Sequence, residues 1–376
     1  MTDWASLVRP SLMGLDPYRP GASLEELRAA YGLDEIVKLN WNEGLQGPFP
    51  GVADAVREEL ARVWIYPEQA YSDLREAVAG WLGTAPERIV PGHGIQALIA
   101  TVAHAFLEPG DRVVLTVPTY GLYAQACTAA GAEVVSVASR DLRHDADALA
   151  GAARDRDARL VWLCDPNNPT GALVEAGEWQ RLLAGLPERC AVIVDEAYVE
   201  YVDPAVRLDR VRDVEEGRPV VLLRTFSKIF GLAGLRLGYA VVDAPLAEFL
   251  DVVQEPFNVN RAALAAGRAS LARAELVDER RRANREGRER LAELLAEAGC
   301  EAFPSQANFL LVRVGVDDVA LTDGLARRGL LVRAGSEFGL AGCVRITTGP
   351  VGLMERVAAE LAEVRAGLGE LRAVEL

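Results

Sequence analysis

The sequence predicts an α/β protein in which a mostly parallel sheet, covered by helices on both faces, precedes a smaller C-terminal α/β unit. Two observations carry this expectation. Between residues 113 and 242, short continuous apolar runs alternate with helix-forming stretches, the pattern of parallel strands buried on both faces. Beyond residue 258 a proline-free stretch rich in Ala, Arg, Glu and Leu begins, and strand–helix alternation then resumes. The chain has 376 residues and half of them are hydrophobic, so it has apolar material for a large core and for more than one domain.

Residues 1–50 are rich in Pro and Gly and read as an irregular arm with one short helical signal at Leu24–Tyr31. Helix-like segments follow at Val52–Val63 and Asp73–Leu82. The strand-like runs are Val113–Val117, Glu133–Val137, Leu160–Cys164, Ala191–Val194, Val220–Leu223 and Leu237–Val242. Helices are expected between them at Ile95–Leu107, Leu122–Ala130 and Gly177–Ala184. Arg261–Ala298 reads as one long helix, with charges such as Glu279 and Arg282 spaced for an exposed face. Strands at Phe309–Val314, Leu330–Arg333 and Val344–Thr347, a helix at Val319–Arg328 and a final helix from Val351 complete the pattern. The resulting division is an arm at 1–50, a large domain at 51–258, a connecting helical region at 259–300 and a small domain at 301–376.

Composition narrows the function. A net charge of −15 argues against nucleic acid as the main partner, because neutralising phosphates needs a basic surface. The opening MTDWASLVRP lacks a basic start followed by an apolar run, so no signal peptide is expected. No stretch is long and apolar enough for a membrane span. The five cysteines are far apart and include no CxxC pair, which speaks against a disulfide framework or a zinc site and for a cytoplasmic protein. Lysine is confined to Lys38 and Lys228, so any chemistry that needs a lysine amine has two candidates.

Gly92-His93-Gly94-Ile95-Gln96-Ala97 satisfies a loose dinucleotide-binding pattern and opens a helix. The nearby acid, Asp111, precedes its strand, where a nicotinamide site would need an acid closing the second strand. The free amides of a helix N-terminus remain suited to another phosphate. Lys228 lies just past a strand end in RTFSKIFGLAGLR, with the hydroxyls of Thr225 and Ser227 and the guanidinium of Arg236 nearby. Upstream, VIVDEAY places Asp195 at another strand end with Tyr198 three residues on, and DPNNPTG presents side-chain amides. A lysine amine, a strand-end acid, phenol and amide donors and a phosphate cup are together what pyridoxal phosphate requires.

These motifs resemble the fold-type I pyridoxal-phosphate aminotransferases, most closely the histidinol-phosphate aminotransferase group. The likeness runs from LDPYRPG near the N-terminus, through KLNWNEGLQGPFP, PNNPTG, DEAY and the lysine motif, to VRITTG near the C-terminus. It implies a large domain with a seven-stranded, mostly parallel sheet, a small C-terminal domain and a homodimer. By this resemblance Lys228 is the Schiff-base lysine, Asp195 the partner of the pyridine nitrogen, and Asn168 and Tyr198 donors to the phenolic oxygen. Tyr120 stacks on the ring, Ser227, Arg236 and the backbone amides of Ile95 and Gln96 form the phosphate cup, and Gly94 and Thr225 complete the cofactor-binding set. Tyr66 reaches the phosphate from the other subunit. Arg345 receives the substrate's anion, helped by Arg333, Tyr18 and Asn42, and two guanidiniums on one anion suit a phosphate.

Three sites in the sequence depart from the group's usual pattern. Ile95-Gln96-Ala97 stands where small-Asp-Glu is usual, Trp41 replaces a small residue, and Gly44-Leu45 replaces Asn-Pro. His93 reads as a helix-start residue. The expected reaction is amino transfer from histidinol phosphate to 2-oxoglutarate. The alternatives are an aromatic or other amino-acid aminotransferase and, more distantly, a decarboxylase of phosphothreonine type. A nicotinamide oxidoreductase or a non-catalytic cofactor-binding regulator fits less well.

Overall fold

The computed structural model describes residues 2–17 and 22–369. Its centre is a seven-stranded sheet. In chain order the strands are β1 (Ile89–Gly92), β2 (Arg112–Val117), β3 (Glu133–Ala138), β4 (Leu160–Cys164), β5 (Ala191–Asp195), β6 (Val220–Thr225) and β7 (Gly238–Val241). Across the sheet they lie in the order β1-β7-β6-β5-β4-β2-β3, and only β7 runs antiparallel to its neighbours. Every residue of β4 and of β6 is buried, as continuous Val/Leu runs require when helices cover both faces. The edge strand β3 alternates towards solvent instead. Strand order reverses between β2 and β4, and such a switch point opens a crevice at the C-terminal strand ends.

A second, four-stranded sheet follows: β8 (Glu301–Ala302), β9 (Phe309–Arg313), β10 (Arg333–Ala334) and β11 (Cys343–Thr347), in the order β10-β11-β9-β8. It has its own apolar cluster, including Leu291, Leu295, Leu310, Val344, Ile346 and Leu361. The N-terminal segment connects the two units. Val37–Lys38 pairs in parallel with Leu330–Leu331, and the Thr347 amide donates to the Leu39 carbonyl at 2.8 Å. Among the described residues no helix is long and apolar enough to cross a membrane.

Four expectations need correction. The stretch 261–298 forms two helices, Arg261–Leu271 and Leu276–Glu297. The first contributes Ala263 and Ala266 to the large core; the second starts on that core at Val277 and reaches the small one at Leu291 and Leu295, so tertiary packing overrides uniform helix propensity. The run 330–333 also splits, because Leu330–Leu331 pairs with the N-terminal segment and Arg333–Ala334 with β11. Strand β1, short and ending in Pro91 and Gly92, was not anticipated; it lies at the sheet edge, where proline is tolerated. Helices at Ala146–Asp155, Arg210–Glu215 and Ala244–Val253 were likewise missed: the first is rich in Ala, the second is short and charged, and the third is an apolar run broken only by Glu248 and Asp251.

Candidate active site

Lys228 lies in the loop after β6, where its Nζ donates to the Trp41 carbonyl at 3.0 Å and sits 5.6 Å from the centre of the Tyr198 ring. Surrounding protein, and secondarily the Arg345 guanidinium, bring its pKa down to about 8, against the opposing pull of Glu43 and Asp195. Lys38 is engaged otherwise: its Nζ pairs with Glu43 at 2.9 Å and lies 4.3 Å from the centre of the Trp41 ring. The N-terminal segment approaches Lys228 closely because position 44 is glycine; a Cβ there would fall 2.3 Å from the Lys228 carbonyl oxygen. Trp41 itself is 43% exposed, so it meets the lysine through its backbone while its indole supports Lys38.

Asp195 ends β5, buried. The Tyr123 hydroxyl donates to its Oδ2 at 2.6 Å and the Ala197 amide to its Oδ1 at 2.9 Å. Burial pushes the carboxyl up to about 6, and these two donors together with Lys228 restrain the rise. Tyr123 is fully buried and stacked on Trp162, with ring centres 5.0 Å apart. Sequence reading chose Tyr120 from PTYGLY and missed Tyr123. The available signal was its spacing from Cys127 and Ala130, four and seven residues on, which puts the three on the buried face of the Leu122–Ala130 helix. Tyr198 accepts from Asn42 Nδ2 at 3.1 Å, which leaves its own O–H free to donate, and burial raises its pKa so that it stays protonated. Asn42 is fixed in turn, its amide donating to Thr347 Oγ1 at 3.0 Å.

A second group gathers around the start of the Gly94–Phe106 helix. Arg236 donates to the Ala233 carbonyl at 2.9 Å and to Gln96 Oε1 at 3.4 Å, and Gln96 Nε2 donates to the Tyr120 hydroxyl at 3.0 Å. Gly94 has a φ of +75°, and a Cβ there would lie 2.8 Å from Arg236 Nη2. Ile95 is buried, whereas Gln96 and His93 are exposed, and His93 makes no capping hydrogen bond. Thr225 Oγ1 and Ser227 Oγ are 3.0 Å apart. Hydroxyls, a guanidinium and the first amides of a helix form a donor set suited to a phosphate. Tyr120 joins this group to the first, its ring centre lying 5.5 Å from that of Tyr123.

Arg345, on β11, is buried at 5% exposure. It donates to Asn168 Oδ1 and to the Asn40 carbonyl, each at 2.5 Å, and its Nε has no partner among the described residues. Phe309 and Phe338 flank it, and burial lowers its pKa to about 10. Arg333 is directly opposite Arg345 in the β10–β11 register and pairs with Glu337 at 2.7 Å. Tyr66 is not gathered with these residues: it stands 76% exposed, stacked on Phe257. Tyr18 lies outside the described residues.

A lysine amine of lowered pKa, a buried acid held by a phenol, a phosphate-suited helix start and a buried guanidinium together fit pyridoxal phosphate, and they define the class as a pyridoxal-phosphate-dependent aminotransferase. The profile of the family "Aminotransferase class I and II" matches residues 34–361. The chain belongs to this family, within the group of the histidinol-phosphate enzymes. Histidinol-phosphate aminotransferase of Halalkalibacterium halodurans is 38% identical over 359 residues, covering 96% of this chain and 97% of that protein. The protein of the same name from Symbiobacterium thermophilum is 38% identical and covers 97% and 99%. The crystal structure of histidinol-phosphate aminotransferase from Sinorhizobium meliloti, in complex with pyridoxal 5'-phosphate, superposes with a TM-score of 0.88 at 31% identity, covering 96% of this chain and 98% of that one.

Proposed function

We propose that this aminotransferase takes histidinol phosphate as amino donor and 2-oxoglutarate as acceptor. One observation carries the choice. Arg345 is a buried guanidinium with no carboxylate partner among the described residues, directly opposite a second arginine, Arg333, and close enough to Lys228 to lower its pKa. A buried cation without a counter-ion is costly, so the pocket is built to receive an anion, and paired guanidiniums suit a phosphate. The near full-length likeness to histidinol-phosphate enzymes supports the same reading.

When bound, pyridoxal phosphate supplies an aldehyde for the amine and a pyridine ring that withdraws electrons from the substrate Cα. Lys228 holds the cofactor and moves the proton at Cα; with a pKa of about 8, roughly a tenth of its amine is neutral at pH 7, against about one part in three thousand for an ordinary lysine. Asp195 holds a proton at the ring nitrogen. Asn168, whose Oδ1 is taken by Arg345, has its amide N–H groups left to donate and, with the Tyr198 hydroxyl, would serve the cofactor's phenolic oxygen. Thr225, Ser227, Arg236, Gly94 and the amides of Ile95 and Gln96 would hold the phosphate, and Tyr120 would supply the aromatic face for the ring. Arg345 and Arg333, with Asn42 and Tyr18, orient the substrate.

The exposed apolar strip of Val63, Trp64, Ile65 and Tyr66, adjoining Phe257, supports a homodimer in which Tyr66 reaches the partner's phosphate site. The two separate apolar clusters support the division into large and small domains at 51–258 and 301–376, with the arm at 1–50 and the helical link at 259–300. The widely spaced cysteines, all free, support a cytoplasmic setting. A donor panel of histidinol phosphate, phenylalanine and glutamate against 2-oxoglutarate tests the substrate. Histidinol phosphate should give the highest kcat/KM; preference for phenylalanine, or CO₂ release without amino transfer, would overturn the choice.

A further inference from the structure

Behind the cofactor-facing residues, four charged side chains form one continuous buried chain. Arg210 joins Asp165 (Nη2 to Oδ2, 2.5 Å) to Glu196 (Nη1 to Oε1, 3.1 Å). Glu196 Oε2 in turn accepts from Nε and Nη2 of Arg224, both at 2.8 Å. All four residues are at most 7% exposed. The second Asp165 oxygen accepts the Val174 amide at 2.9 Å, and the Arg210 guanidinium lies 4.7 Å from the centre of the Trp179 ring. The charges balance, two against two.

Their positions give the chain its meaning. Asp165 follows β4 and starts the loop that carries Asn168. Glu196 is the neighbour of Asp195 at the end of β5. Arg224 precedes Thr225 at the end of β6, four residues before Lys228. Successive residues of an extended strand face opposite sides, so Glu196 and Arg224 stand directly behind Asp195 and Thr225. Stability alone is a weak reason for such a network, because desolvating four charges offsets much of their attraction. Directional bonds between charged groups do fix distances that apolar packing leaves adjustable. Here they tie together the ends of β4, β5 and β6.

We propose that the Asp165–Arg210–Glu196–Arg224 chain is a positioning device that sets the mutual spacing of Asn168, Asp195 and Lys228. This rests on the site roles assigned under the proposed function. Arg210 is the central positioning residue: it comes from the separate Arg210–Glu215 helix and bridges two strand ends at once.

The test compares wild-type holoenzyme with Arg210→Lys and Glu196→Gln. Arg210→Lys keeps the charge but cannot span both carboxylates; Glu196→Gln keeps the shape but removes the charge. The readouts are kcat and KM for the amino donor, the pH midpoint at which the bound cofactor's absorbance titrates, and the thermal midpoint. In variants that remain folded, the absorbance midpoint should move by about half a pH unit or more and kcat should fall about 10- to 100-fold, with KM changing less than about 3-fold. Wild-type midpoint and kcat in either folded variant would overturn the proposal. So would a loss that vanishes on cooling, or failure of both variants to give holoenzyme, since each assigns the chain to structural support alone. Borohydride trapping of wild-type holoenzyme separates the two readings: cofactor not fixed to Lys228 removes the site assignment and the proposal with it, whereas trapping at Lys228 with indifferent variants removes the positioning role alone.

Discussion

Tyr123→Phe isolates the control of Asp195. The substitution removes the hydroxyl 2.6 Å from Asp195 Oδ2 and keeps the ring stacked on Trp162. A hydrogen bond to a charged group contributes roughly 1.5–3 kcal/mol, or about one to two pKa units at about 1.4 kcal/mol each. Asp195, already pushed to about 6, should therefore rise to roughly 7–8. Its folded pKa exceeds the ordinary value of 3.8, so folding favours the protonated form. That contribution is complete below the ordinary pKa and is lost as pH rises through the folded one. In the parent the loss ends near pH 6; in the variant it continues to roughly 7–8. Urea denaturation of both proteins, stripped of cofactor, at pH 4.5 and pH 8 measures the difference. The variant's deficit should be small at the lower pH and larger by roughly 1.5–3 kcal/mol at the higher one. Other titrating groups are common to both proteins and cancel. A deficit independent of pH would refute the assignment of the phenol to the ionised carboxylate.

Four further outcomes follow from the same geometry. Arg345→Leu removes the buried guanidinium and should lower kcat/KM for the anionic donor by about two orders of magnitude, the cost of roughly 3 kcal/mol for a desolvated charge contact; an unchanged kcat/KM would exclude Arg345 from substrate binding. Gly44→Ala places a Cβ 2.3 Å from the Lys228 carbonyl, so kcat should drop at least about tenfold with unchanged circular dichroism. Gly80→Ala, where a Cβ meets nothing within 4 Å, should be neutral or slightly stabilising, and equal behaviour of the two would contradict the close approach. Glu200, whose carboxyl burial pushes up from 4.5 to about 7, contributes stability at low pH that is lost as pH rises through 7. Glu200→Gln should accordingly gain about 3 kcal/mol relative to the parent between pH 4.5 and pH 8, read from denaturation midpoints.

What could be read from the sequence was what lies contiguous in it. Asp195 and Tyr198 share one motif, Thr225, Ser227 and Lys228 another, and each follows an apolar run that does form a strand of the central sheet. The groups that control them come from elsewhere. Tyr123 meets Asp195 across 72 positions, and Arg210 meets Asp165 across 45, in a stretch whose Arg and Asp content resembles any solvated helix. Trp41 shows the same boundary differently. Its contact with Lys228 is made by a carbonyl, and every residue type has one, so no side-chain pattern could announce it. The long Arg/Glu/Ala stretch failed for the complementary reason. Helix propensity is local, and the break at 272–275 is set by tertiary packing: Leu271 before it and Val277 after it both pack on the large core, and the second helix then runs on to the small one. Local chemistry therefore names the groups that touch the cofactor, while their protonation and spacing are set by residues that only the assembled sheet brings behind them.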